Sequence, residues 1–141
     1  MTGLRPNRDG TVTLPPRGLT ARSGDQLAWG ENVTRRLNYL RALPTGWDGY
    51  SGLPLQREIA DFAQDLLNRL CTATTPEPDI VPLSSGGLQV EWHVSAVEIE
   101  LMIDTPGHVK AWIADQRDPA GEEIILADHF EKLLPAIDKL G

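Results

Sequence analysis

A length of 141 residues, 40% of them hydrophobic and 23% charged, describes one ordinary globular domain rather than a disordered chain, long enough to fold without disulfides or metal. The net charge of −7 argues against direct nucleic-acid binding, because phosphate contacts dominate that affinity. The single cysteine, Cys71, excludes an internal disulfide and fits a reducing, cytoplasmic setting, and no apolar run approaches the ~18 residues of a membrane span.

The opening residues carry no apolar segment of the kind a secretory signal needs. Residues 1–24 contain Arg5, Arg8, Arg17 and Arg22 against Asp9 alone, and their Pro and Gly content predicts an extended basic arm with at most a short edge strand at Thr11–Leu14. Residues 25–141 are predicted to form a single α+β domain. Its acidity is confined to the C-terminal third: residues 91–141 hold eleven acids against four bases, whereas residues 1–90 balance at nine each.

Helix 1 is predicted to start near Ser23 or Asp25, where Ser23-Gly-Asp-Gln26 matches a capping box. Trp29, Val33, Leu37 and Leu40 then recur at spacings that share one helical face, and Pro44 stops the run. A glycine-rich connector, residues 45–52, leads to Pro54, which suits the first turn of a second helix over residues 54–71. Ile59, Phe62, Ala63, Leu66 and Leu70 form its apolar stripe. Pro76 and Pro78 block any continuation.

The hydrophobic period then changes from 3.6 to 2. Leu88, Val90, Trp92 and Val94 alternate with polar residues, as do Val97, Ile99, Leu101 and Ile103, and then Val109, Ala111 and Ile113. A two-residue turn at Ser95-Ala96 pairs Val94 with Val97, Trp92 with Ile99 and Val90 with Leu101. A five-residue loop, Asp104–His108, pairs Ile103 with Val109 and Leu101 with Ala111. A slip of one residue would set apolar side chains opposite polar ones. Ile80–Leu83 adds a short strand before the Ser84-Ser85-Gly86-Gly87 turn, and Ile124–Leu126 reads as a fourth strand or a helix start. Asp128 is placed to cap a last helix carrying Phe130, Leu133, Leu134 and Ile137, kinked or broken at Pro135. The expected architecture is two N-terminal helices and a C-terminal helix on one face of a three- to four-stranded antiparallel meander.

Two places carry candidate chemistry. The register sets His93 beside Glu98, Glu91 beside Glu100, and Glu100 beside Trp112, all on the outward face. Facing carboxylates are unfavourable unless a cation, a basic partner or a shared proton compensates. An imidazole with carboxylates can ligate zinc, although a solvated sheet face explains the same residues. Trp112 among them marks either cover by another element or an interface. The second place is the connector Trp47-Asp48-Gly49-Tyr50, which is either pinned into the core through Trp47 or a recognition loop presenting Asp48 and Tyr50. Catalytic motifs are missing. Cys71 reads as a core cysteine, Ser84–Gly87 as a hairpin turn rather than a nucleophile elbow, and no phosphate-binding glycine loop is present. No catalytic residue, metal ligand or cofactor is assigned.

Leu43-Pro-Thr-Gly-Trp-Asp-Gly-Tyr-Ser-Gly-Leu-Pro54, then a helix, then Pro82…Gly86-Gly87-Leu88-Gln89-Val90-Glu91-Trp92 resembles a widespread group of small, uncharacterised bacterial and phage proteins. That group has a "GWDGYGA-P" loop followed by a "GG" strand ending in Glu-Trp. The likeness covers about residues 43–103, with a departure at Ser51-Gly52-Leu53. It implies a shared fold with no assigned activity, in which Trp47, Asp48, Gly49, Glu91 and Trp92 form one structural signature.

These readings point first to a non-enzymatic interaction protein of the antitoxin, immunity-factor or phage-inhibitor type that occupies a protein partner. The alternatives are a small metal- or ligand-binding enzyme using Glu91, His93, Glu98 and Glu100, and an acidic nucleic-acid mimic. A homodimer joining basic arm to acidic third is also open.

Overall fold

The computed structural model describes residues 5–6, 12–13, 16, 18–19, 27–94 and 96–141. The fold is α+β. Most of the predicted arm, and the Ser23–Gln26 capping box, lie outside the described residues. Within the arm, Arg5–Pro6 (β1) pairs antiparallel with Val12–Thr13 (β2).

Helix α1 spans Gly30–Arg41 and α2 spans Arg57–Leu70. Val33, Leu37 and Leu40 line the buried stripe of α1, and Ile59, Phe62, Ala63, Leu66 and Leu70 that of α2. Both helices start later than predicted. Trp29 stands at the N-cap of α1 with its ring N–H donating to the Thr75 carbonyl at 2.9 Å, buried but outside the helix. Pro54 precedes α2 by three residues. The backbone N–H groups of Leu55 and Gln56 are committed to the carbonyls of Leu40 and Gly86, and Gln56 is extended at ψ 139°, so winding begins only at Arg57.

The sheet is an antiparallel meander of five strands rather than the three or four expected: Asp79–Pro82 (β3), Leu88–Val94 (β4), Val97–Thr105 (β5), His108–Asp115 (β6) and Glu122–Leu126 (β7). The β4–β5 register is the predicted one, with Val94, Trp92 and Val90 opposite Val97, Ile99 and Leu101. Leu101 also faces Ala111, as expected. The predicted five-residue loop is instead a two-residue turn at Pro106-Gly107. Strands β5 and β6 continue to a Thr105–His108 pair, and an irregularity between Met102 and Thr105 takes the place of the Ile103–Val109 pair. Ile124–Leu126 belongs to β7, a strand and not a helix start.

Inward positions of β4, β5 and β6 share one hydrophobic core with α1, α2 and the C-terminal segment. That segment begins as a 3-10 turn, Phe130–Leu133, and continues as α3, Leu134–Asp138. Asp128 does not cap it. The N-cap is His129, in a left-handed conformation at φ 53° and without a side-chain cap bond. Pro135 falls in the first turn of α3, where its missing N–H costs no hydrogen bond, so the predicted break is the 3-10 to α junction. No helix among the described residues is long and apolar enough to cross a membrane.

Candidate functional site

Alternation along five registered strands lays the outward side chains in transverse rows. One row reads Asp79, Glu91, Glu100, Trp112 and Glu123, each directly opposite the next. The adjacent row reads Val81, Gln89, Met102, Lys110 and Ile125. His93 faces Glu98 on the other side of the acidic row. Neighbouring strands are about 4.8 Å apart, so Asp79, Glu91 and Glu100 are three like charges in succession, an unfavourable arrangement in a free sheet.

Local contacts partly relieve the strain. The Gln89 amide donates to Glu91 Oε2 at 3.0 Å and to Glu100 Oε1 at 3.4 Å. His93 Nε2 stands 3.6 Å from Glu91 Oε1, and its Nδ1 stands 3.9 Å from Glu98 Oε1. Both separations are beyond hydrogen-bond reach. Glu91, His93 and Glu100 each offer a metal-ligating atom, all within 4.8 Å of one another.

Trp112 is half-buried. Gly121, in the β6–β7 connection, lies against its indole so closely that a Cβ at position 121 would collide with the ring. The remaining indole surface forms one wall of a shallow depression of about 420 Å³ lined by Gln89, Glu100, Met102, Lys110, Trp112 and Glu123. Ile125 beside it is 70% exposed. The sheet therefore brings Glu91, His93, Glu98, Glu100 and Trp112 onto one face, as the register implies. Glu123, Ile125 and Asp79 complete that face. Local period does not reveal Glu123 and Ile125, because β7 is a short acidic-then-apolar run, Glu122-Glu123-Ile124-Ile125-Leu126, without alternation. Asp79 pairs only once β3 extends one residue earlier than Ile80.

The Trp47–Tyr50 loop lies elsewhere, knitted to the β3–β4 turn. Trp47 donates its ring N–H to the Leu53 carbonyl at 2.7 Å. Asp48 Oδ1 accepts from the Tyr50 and Gly52 N–H groups at 3.0 and 2.9 Å, and Oδ2 accepts from the Ser84 hydroxyl at 2.7 Å. A Cβ on Gly52 would press into that carboxylate, so the close approach needs glycine. Asp48 thus fastens the loop, and Tyr50, 88% exposed, is the member that projects.

The Ser84 hydroxyl first, and then the Tyr50 and Gly52 amides, hold the Asp48 carboxyl below the ordinary aspartate value of 3.8. A lowered folded-state value stabilises the loop fully above about 3.8, and that contribution is lost as pH falls through the folded value. The Tyr50 and Gly52 amide resonances are expected to titrate below pH 3.8 in the wild type and to stay flat in Asp48→Asn. Identical titrations in the two proteins would remove Asp48 as the fastener.

No family model, curated protein or solved structure matches the chain.

Proposed function

We propose that the protein is a non-enzymatic interaction module, of the antitoxin, immunity-factor or inhibitor type, which occupies a basic protein surface with the open face of its sheet. The helices cover the opposite face in this reading and serve as a rigid back. One observation carries it: Trp112, Met102 and Ile125 stand among Asp79, Glu91, Glu98, Glu100 and Glu123, with Lys110 as the lone lysine or arginine on those rows. Tryptophan and methionine are enriched at interface cores, where charged residues are depleted. A rim of like charge selects the opposite sign and steers its approach.

The test is affinity capture with the wild type beside a Glu100→Lys, Glu123→Lys double variant and a control, Glu58→Lys, at an exposed position of α2. A basic protein is expected on the wild type and the control, weakened at least tenfold by the double variant and by raised salt. Equal capture by the double variant, or capture insensitive to salt, rejects the reading.

A further inference from the structure

We propose that Glu91, His93 and Glu100 form a binding site for one divalent transition-metal ion of the zinc class. The inference does not depend on the docking role of Trp112. Three positions of two paired strands converge, since Glu91 and His93 lie two apart on β4 and Glu100 lies opposite Glu91 on β5. The resulting set is one imidazole nitrogen and two carboxylate oxygens, all within 4.8 Å of one another.

One spacing in the set suits ligation better than direct pairing. Glu91 Oε1 and His93 Nε2 are 3.6 Å apart, too far for a hydrogen bond. Metal–ligand bonds of about 2.0–2.1 Å in tetrahedral array place neighbouring ligands about 3.4 Å apart. The other Glu91 oxygen, Oε2, is held at 3.0 Å by the Gln89 amide, which leaves Oε1 turned toward the imidazole. The same amide reaches Glu100 at 3.4 Å. Gln89 therefore orients both carboxylates, the part that outer-shell hydrogen-bond partners play at metal sites.

Charge gives an independent argument. Asp79, Glu91 and Glu100 follow one another across three strands. A bound dication neutralises Glu91 and Glu100 where a water-filled face leaves them repelling. The imidazole selects the class of ion: Zn2+, Co2+ and Ni2+ take mixed nitrogen–oxygen sets, whereas Mg2+ and Ca2+ prefer oxygen alone. Three protein ligands leave a fourth position for water or for a side chain from another molecule.

The experiment is titration of the full chain with Zn2+ by calorimetry, and with Co2+ by visible absorption. One saturable Zn2+ per chain is expected, together with the d–d bands of low-symmetry Co2+. His93→Ala and Glu100→Gln should each weaken binding at least tenfold, and Gln89→Ala by about tenfold. Circular dichroism should match the wild type in all three variants. His129→Ala serves as the control, because His129 also faces carboxylates at 3.3 and 3.9 Å on the C-terminal segment, and it should bind as the wild type does. A hundredfold excess of Mg2+ should not displace the ion. Absence of saturable Zn2+ binding overturns the proposal, as does binding that survives both His93→Ala and Glu100→Gln, is lost in His129→Ala, or yields to Mg2+.

Discussion

Trp92→Ala lowers the melting temperature by on the order of 10–20 °C. Trp92 is 2% exposed on the inner face of β4, opposite Ile99. Its ring N–H donates to the Pro76 carbonyl at 2.8 Å, tying the segment before β3 to the middle of β4. Truncation to alanine removes the ring and leaves a cavity that close packing cannot fill, a loss of about 3–5 kcal/mol. Total stabilities of domains are only about 5–15 kcal/mol, so this one change consumes a large share. Trp92→Phe separates packing from polarity: it keeps most of the apolar volume, loses the donor to Pro76, and costs the smaller part, about 0.5–1.5 kcal/mol for the hydrogen bond. Thermal unfolding followed by circular dichroism decides the matter. An alanine variant melting within 3 °C of the wild type would show that Trp92 does not hold the core.

Phe130→Ala is the second large effect, again about 3–5 kcal/mol. Phe130 is 1% exposed and meets Phe62 of α2 edge to face, with centroids 5.7 Å apart and planes at 64°. Such a pair adds about 0.5–1.5 kcal/mol beyond area burial. Phe130 is the first anchor of a segment that also buries Leu133, Ala136 and Ile137, so its loss loosens the whole C-terminal end from α2. Urea unfolding should show a lower midpoint with unchanged slope for Phe130→Leu and a larger fall for Phe130→Ala. A Phe130→Leu midpoint equal to that of the wild type would mean that ring packing contributes nothing there.

The parts of this fold that could be read from sequence are those in which a side chain's neighbour is set by local period. Leu88–Val94 and Val97–Ile103 alternate cleanly, so their facing partners followed from counting outward from the Ser95-Ala96 turn. The outward set Glu91, His93, Glu98, Glu100 and Trp112 came with them. Long-range commitments were not readable. Leu55 and Gln56 are drawn off by Leu40 and Gly86, partners 15 and 30 residues distant, and no local rule foresees that Pro54 stands clear of α2. Asp104-Thr-Pro-Gly-His108 has the composition of a loop, yet pairing continues through it to Thr105 and His108 with one irregularity absorbing the mismatch. The sequence predicts Asp48 as a turn aspartate bonding two residues on, which it does at Tyr50. Its bond to Ser84, 36 residues away, depends on the fold.

If the proposed cation site is real, the file of Asp79, Glu91 and Glu100 across three strands sets a trade-off between folding and binding. Each carboxylate raises the free energy of the empty sheet, and each is a contact that a cationic ligand can satisfy. A variant with neutral residues at these positions would be a better folded protein and a poorer receptor. On that proposal, part of the affinity for a cationic ligand comes from repulsion already present in the fold and released on contact.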